Sequence, residues 1–327
     1  MRRAFLISIA IGMAISLLAI GGGYMWLKNA YHSTSGPDED AIVLIEKGMG
    51  VAAIAAHLKQ EGIVESANVF RFGDQLFGAK QPLRAGEYRI PANANLASVA
   101  EILKTAEQVV YKTTIAEGLT TLEIIDFLRD EPGLQGNIVT IPAEGTLLPE
   151  TYHFHRGETR LSIIKRMADA MQRTVDELWE SRAPSLPLAT PYEAVILASI
   201  VEKETGVAAE RVKVAGVFIN RLNKKMRLQS DPTVVYGITN GAGPLGRALT
   251  RKDLDGVTAF NTYEINRLPP TPIANPGRKA IEAVLNPAQT DAIYFVADGT
   301  GGHAFAKTLK EHNRNVRAWR KFNKKNE

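Results

Sequence analysis

Ile45-Glu-Lys-Gly-Met-Gly-Val-Ala-Ala-Ile54-Ala-Ala-His-Leu58 returns 70 residues later as Ile115-Ala-Glu-Gly-Leu-Thr-Thr-Leu-Glu-Ile124-Ile-Asp-Phe-Leu128. Ile90-Pro-Ala-Asn-Ala-Asn-Leu-Ala-Ser-Val99-Ala-Glu-Ile-Leu103 follows the same template more loosely. Each copy ends a short strand, turns at Gly or Asn, and then places apolar residues at helical spacing, as Ile54 and Leu58 or Ile124 and Leu128 do. Strand-turn-helix units of this kind predict an α+β fold. Three irregular copies are too few for a solenoid, in which each repeat buries its face only against the next. Leu83-Arg-Ala-Gly-Glu-Tyr-Arg-Ile90 reads as a further strand between the first two copies. With 327 residues the chain has room for about two domains at roughly 100–200 residues each.

Upstream of the repeats, Ala4 to Leu27 is a run of 24 residues without a charged side chain. About 20 such residues cross a hydrocarbon core. Arg2 and Arg3 precede the run, and Tyr24 and Trp26 stand at its far edge, where interfacial aromatics belong. A cleaved signal peptide has an apolar core of about 7–15 residues and a small-x-small cleavage site. This run is longer and closes on Gly-Gly-Gly-Tyr-Met-Trp26. The expectation is an uncleaved single-pass transmembrane helix at 4–27, with residues 1–3 cytoplasmic and the rest of the chain outside the cytoplasm. That location removes ATP, NAD and most cytosolic substrates, and no glycine-rich phosphate loop is present in any case.

The exported part divides by composition. Residues 28–40 form a polar linker, 41–105 a compact α+β subdomain, 106–158 a connecting α+β module, and 159–327 a mixed helical and strand domain. The first subdomain is similar to LysM-type sugar-binding modules in element order; glycan binding and simple spacing from the membrane are both open for it. In the last domain, helices are expected over 160–182, 191–204 and 208–224, the third burying Val212, Ala215, Phe218, Ile219 and Leu222. Pro and Gly crowd 231–278. A strand at 294–297 and a helix from 307 close the chain.

Cysteine is absent, so disulfides, thiolate metal sites and a cysteine nucleophile are excluded. His153 and His155 share one face of a strand by their period of 2, but no third ligand follows at suitable spacing, and no metal is expected. The formal charge of +4 is a property of the tail: from Lys307 onward eight Lys or Arg face two Glu, a net of +6, which leaves −2 for the rest. A solvated terminal helix accounts for it, and no nucleic-acid recognition motif accompanies it.

Chemistry concentrates after residue 190. In Tyr192-Glu-Ala-Val-Ile-Leu-Ala-Ser-Ile-Val-Glu-Lys-Glu-Thr205, Glu204 follows Leu197, Ile200 and Val201 by seven, four and three residues, so it shares their apolar face; Glu202 falls near the opposite side. A carboxyl against apolar neighbours at a helix end has its charged form disfavoured, and a glutamic acid shifted in this way serves as a general acid at neutral pH. The competing reading is a solvated end residue. Gln229, Ser230, Asp231, Thr233 and Tyr236 bring amides, hydroxyls and a carboxylate into eight positions, and Asn261, Tyr263 and His303 add more. Such clusters suit a polyhydroxylated ligand. Asp231 before Pro also has the form of a turn cap. No Ser-His-Asp order or His-Glu-x-x-His helix is found.

Ala198-Ser-Ile-Val-Glu-Lys-Glu-Thr205, Val217-Phe-Ile-Asn-Arg-Leu222, Met226-Arg-Leu-Gln-Ser-Asp-Pro-Thr-Val-Val235, Asn261-Thr-Tyr263 and Tyr294-Phe-Val-Ala-Asp298 resemble, in order, the motifs of the YceG-like family. The resemblance covers nearly the whole chain. It implies endolytic murein transglycosylase activity: cleavage between N-acetylmuramic acid and N-acetylglucosamine that leaves 1,6-anhydro ends, with one Glu acting as acid and then base and with no cofactor. It places the catalytic residue within Glu202-Lys-Glu204. Glu204 is the choice, because of its apolar face and because Glu-Thr resembles the Glu-Ser pair of other lytic transglycosylases; Glu202 is the fallback. Gln229, Ser230, Asp231, Thr233 and Tyr236 become candidates for the glycan cleft, with Asn261, Tyr263 and His303 beside them. The implied setting is the inner membrane with a periplasmic catalytic domain, peptidoglycan strands as substrate and peptidoglycan synthases as partners. A water-using muramidase with Asp231 as base and a non-catalytic peptidoglycan scaffold are the alternatives.

Overall fold

The apolar run forms a helix, but the helix does not stop at the end of that run. In the computed structural model, which describes residues 2–326, α1 spans Arg2–His32. From Phe5 onward it is long and apolar enough to cross a membrane, and its apolar window is bare of protein contacts. Its last turn is different: Tyr31 is only 1% exposed. The expected linker at 28–40 is therefore corrected to 33–40, because the Tyr31 ring is taken up into a protein core.

That core belongs to the first of two compact units, Met1–Tyr111. Strand β1 (Ala41–Ile45) leads to α2 (Val51–Gln60) and α3 (Ala67–Phe77); β2 (Gly86–Ile90) and α4 (Leu96–Thr105) follow. β1 and β2 pair antiparallel, Ala41 opposite Ile90 and Ile45 opposite Gly86. Val43, Ile45, Tyr88 and Ile90 point inward at the strand period of 2 and meet Ile54, Leu58, Phe70, Val99 and Leu103 from the helices. Ser66 and Asn95 cap α3 and α4 through their side-chain oxygens. The sequence reading missed α3, although Val69, Phe70, Phe72, Leu76 and Phe77 share one side of it at helical spacing.

The second unit is Lys112–Glu327. The first boundary thus falls at 111/112 where 105/106 was expected, and 112–158 joins the domain that follows it. The reason is visible in Asn275, whose backbone N–H donates to Leu119 O (2.8 Å) and whose side-chain oxygen accepts from Leu147 N (2.9 Å). β3 (Tyr111–Thr114) pairs with β4 (Thr151–Phe154), flanking α5 (Thr121–Asp130), which opens on a closed capping box between Thr120 and Glu123. α6 (Arg160–Glu180) is followed by α7 (Pro191–Glu204), a 3-10 turn and α8 (Arg211–Asn223). Then come α9 (Asp231–Thr239), the short α10 (Arg251–Leu254) and α11 (Arg278–Leu285). Strands β5 (Tyr294–Ala297) and β6 (His303–Ala306) form an antiparallel hairpin before α12 (Leu309–Asn326).

α7 is the centre of this unit. Every residue from Ala194 to Val201 is buried, against α6, α8 and α11. A helix that is apolar all round belongs inside a protein. One local expectation is corrected. Val212 is 40% exposed, and Val214 and Val217 fill the buried face of α8 in its place. The Pro- and Gly-rich stretch also contains the helices α9 and α10, with Pro232 in the first turn of α9, where its missing N–H costs no helical hydrogen bond.

Candidate active site

Glu204 and Glu202 leave the end of α7 toward different neighbours. Because the helix is buried all round, an apolar face does not by itself separate them. Glu202 accepts from Gly277 N (2.8 Å) and from Arg211 Nη2 (3.3 Å), with its side chain 5% exposed. Burial raises its pKa, and Glu117 adds to the rise, while the Gly277 amide and Arg211 oppose it. Its oxygens are committed to holding α7, the start of α8 and the Gly277 turn together.

Glu204 faces a cleft of about 500 Å³. Its only hydrogen-bond partner among the described residues is the Ser230 hydroxyl, which donates to Oε1 at 2.5 Å. Glu204 is half-buried as a residue, yet its carboxyl lies deep enough among protein atoms that desolvation dominates and lifts its pKa to about 7. The Ser230 hydrogen bond pulls the other way; the Asp231 charge adds to the rise, and His303 and Arg221 oppose it. At neutral pH this carboxyl is divided between acid and carboxylate, the state required of a group that gives and takes a proton.

The chain reaches this geometry through a strained turn. Gln229 adopts φ +53°, the left-handed region that non-glycine residues seldom occupy, and donates its N–H to Thr262 O (3.1 Å). Ser230 follows, 1% exposed, at the N-cap position of α9; its hydroxyl makes no capping bond and is turned to Glu204. Below it, Ser230 N donates to Thr262 Oγ1 (2.9 Å), and Thr233 Oγ1 donates to Ser230 O (2.6 Å). Arg221, 7% exposed, holds the same turn from beneath: Nη1 donates to Leu228 O (2.6 Å), while Nε donates to Ile293 O (2.7 Å) at the entrance to β5.

Four of the expected residues line the cleft with Glu204: Gln229, Asp231, Tyr263 and His303. The Tyr263 hydroxyl donates to Asp231 Oδ1 at 2.6 Å, and burial, followed by this carboxylate, raises the phenol pKa. His303 Nδ1 donates to Glu210 Oε2 at 2.7 Å, and its backbone N–H to the other oxygen of the same carboxylate at 3.0 Å. The ring is thus fixed edge-on to Phe295 at 5.3 Å.

Three of the expected residues, Thr233, Asn261 and Tyr236, do not line the cleft. Thr233 and Asn261 are fully buried and offer nothing to a ligand. Asn261 braces its own loop, donating to Leu254 O and Gly256 O and accepting from Tyr263 N. Tyr236 turns away from the cleft; its hydroxyl donates to Glu144 Oε2 (3.2 Å), whose other oxygen accepts from Thr121 and Asn275. That network supports the junction of α5, α9 and the 275 turn.

Sequence reasoning missed Arg221, Glu210, Tyr294, Phe295 and His312. Tyr294, Phe295 and His312 give the cleft an aromatic wall, with His312 stacked on Tyr294 at 5.1 Å. Aromatic rings beside amides and carboxylates suit the apolar faces and hydroxyl edges of a sugar. Nothing in the local sequence marked these residues, apart from the resemblance over Val217–Leu222, which contains Arg221, and over Tyr294–Asp298. Among the described residues, no group of three or more His, Cys, Asp or Glu is placed to hold a metal; β4 ends at Phe154, so His155 lies just beyond the strand that carries His153.

Comparison with known proteins matches this architecture. The endolytic murein transglycosylase of Bacillus subtilis is 31% identical over 330 residues, covering 91% of this chain and 90% of its own. That of Streptococcus pneumoniae R6 is 28% identical over 365 residues, covering 96% of this chain and 65% of its own. The crystal structure of a YceG-like protein from Listeria monocytogenes superposes with a TM-score of 0.52 at 30% identity, over 85% of this chain and 99% of that one. The family model of these proteins matches residues 43–318, and the chain belongs to the YceG-like family.

Proposed function

We propose that the protein is a membrane-anchored endolytic peptidoglycan transglycosylase in which Glu204 is both acid and base. The observation that carries the reading is the Glu204 carboxyl at the cleft, hydrogen-bonded to one neutral hydroxyl and held in no salt bridge, in surroundings whose desolvation raises its pKa. Two carboxyl groups are needed when water is the nucleophile. One is enough when the substrate supplies its own. Protonated Glu204 gives its proton to the glycosidic oxygen, and the bond from that oxygen to the anomeric carbon breaks. The resulting carboxylate takes the proton of the muramoyl C6 hydroxyl, whose oxygen bonds to the anomeric carbon. Glu204 ends protonated, the product ends in 1,6-anhydro-N-acetylmuramic acid, and no water is consumed.

The surrounding groups have matching roles. Ser230 orients the Glu204 carboxyl. Gln229, Asp231 and Tyr263 offer hydrogen bonds to sugar hydroxyl and acetamido groups, and Tyr294 and Phe295 pack on ring faces. Glu210 is a positioning residue that acts through His303. The anchor α1 keeps the enzyme at the inner membrane with its catalytic unit periplasmic, where strands leave their synthases. The LysM-like first unit would hold the strand by its sugars.

Asp231 lines the same cleft and its charge acts on Glu204, which favours, as a second reading, a hydrolase with Asp231 as base. Digestion of purified glycan strands in 18O-labelled water separates the two. Transglycosylation leaves the new ends unlabelled; one 18O per cut would make the protein a hydrolase. A pH series adds a further check. The rate should fall tenfold per pH unit above about 7 as Glu204 loses the proton it must donate. In Ser230→Ala, which removes a bond favouring the carboxylate, that fall should begin at higher pH; an unmoved profile would mean that Ser230 does not tune Glu204.

A further inference from the structure

We propose that the C-terminal half of α3 rests in the interfacial layer of the membrane that α1 crosses, so that the first unit is docked on lipid and does not hang from a tether. The inference rests on the reading of α1 as a membrane anchor, and it concerns a surface with no part in the cleft chemistry.

The join between helix and unit is rigid. Tyr31 is buried over Gly73, where an added Cβ would lie 2.3 Å from the tyrosine ring. The Tyr31 hydroxyl donates to Asp74 Oδ1 (3.3 Å), and Lys104, its side chain 1% exposed, binds the same oxygen at 2.5 Å. A glycine, a buried tyrosine and a buried ion pair thus fix α1 to α3 and α4 before the helix ends at His32.

The direction of α3 follows from its contacts. Tyr31 meets Gly73 and, at 6.1 Å, the Phe77 ring, while Tyr24, two turns nearer the N-terminus, meets Phe77 edge-to-face at 5.1 Å and comes no nearer to the start of α3. α3 therefore runs back along α1, with its C-terminal end on the membrane side. Phe5 to Tyr24 is 20 residues, which rise about 30 Å as a helix, the thickness of a hydrocarbon core. That sets Tyr24 at the membrane boundary, with Phe77 between the levels of Tyr24 and Tyr31, about one helical turn above it.

The side chains at this level suit an interface. Leu76 is 59% exposed and Phe72 is 42% exposed, one helical turn apart on one face of α3. Trp26 and Tyr24 are exposed on α1 at 64% and 49%. Aromatic rings favour the headgroup boundary. Lys28 and Lys80 are exposed nearby, and Arg71 lies over the Phe72 ring at 4.4 Å; cations with long apolar stems reach the headgroups from such positions. An apolar pair left in water beside a membrane-spanning helix has lipid as its nearest apolar solvent.

The chain lacks cysteine, so single nitroxide labels can be placed cleanly. The full-length protein carrying Ile15→Cys, Phe72→Cys, Leu76→Cys or Lys59→Cys would be put into vesicles of phosphatidylethanolamine and phosphatidylglycerol. Collision with oxygen, which partitions into lipid, would be compared with collision with a water-soluble nickel complex. The oxygen-to-nickel ratio should be highest at Ile15, several-fold above the Lys59 value at Leu76, and lower at Phe72 than at Leu76. Leu76 and Phe72 equal to Lys59, with Ile15 deep, would overturn the docking and leave the anchor standing. A water-like Ile15 would overturn the anchor and the docking together. Spin broadening at Leu76 that disappears on dilution with unlabelled protein would show that a second copy covers the patch, and would also overturn the proposal.

Discussion

Replacing Glu204 with Gln is expected to lower strand cleavage by about 10²–10⁴-fold, the usual contribution of general acid-base catalysis, and to stabilise the protein above neutral pH. Both effects have one cause. The folded state raises the Glu204 pKa from 4.5 to about 7 by desolvation. Between those values the folded carboxyl holds a proton that the unfolded one has lost, so stability falls as pH rises through the window. The loss approaches about 3 kcal/mol above pH 7, at 1.36 kcal/mol per pKa unit. Gln carries no charge and keeps an oxygen to accept from Ser230. Thermal melts of Glu204→Gln and the parent should converge near pH 4 and separate at pH 8, with the variant melting higher. Equal melts at pH 8 would mean that the carboxyl is not desolvated. The site would then have the wrong acid for neutral pH.

Arg221→Met is expected to be the most damaging change outside the reacting groups. It leaves the carbonyl of Leu228, which is buried, and that of Ile293, which is partly buried, without their donor. At about 1–3 kcal/mol for each unsatisfied buried group, the loss is about 2–6 kcal/mol. In a unit of this size that is a fall in melting temperature of about 10 °C. Activity should fall with it, because the turn that releases its grip carries Gln229 and Ser230. Arg221→Lys should rescue little, since an ammonium cannot reproduce the forked donor pattern. A change of less than about 1 kcal/mol would show that the turn is held by other contacts.

How much of this was legible in the sequence depended on how far each contact reaches. The strand-turn-helix copies became β1–α2, β2–α4 and β3–α5, because period and turn residues are local. α7 was legible for the same reason. The choice between Glu202 and Glu204 was not, because α7 is buried on every side and the two carboxylates are distinguished only by what other segments bring to them. Ser230 lies 26 residues from Glu204, and Glu210 lies 93 from His303. Tyr236 was misjudged because it is next to the cleft residues in sequence, while one further turn of α9 swings its hydroxyl to Glu144. Thr233 and Asn261 have the chemistry of sugar-binding residues but spend it on their own loops. The 28–40 linker failed at Tyr31, whose burial needs the hollow left by Gly73, a contact 42 residues away that no local pattern announces.

In the proposed mechanism one carboxyl, Glu204, cuts the strand without water. Mass spectrometry of glycan strands digested by the full-length protein, run beside Glu204→Gln and Glu202→Gln, is the direct test of it. The expected result is 1,6-anhydro-muramoyl ends from the parent, their loss in Glu204→Gln, and their persistence at a reduced level in Glu202→Gln. Reducing ends from the parent, or anhydro ends that survive Glu204→Gln, would contradict it.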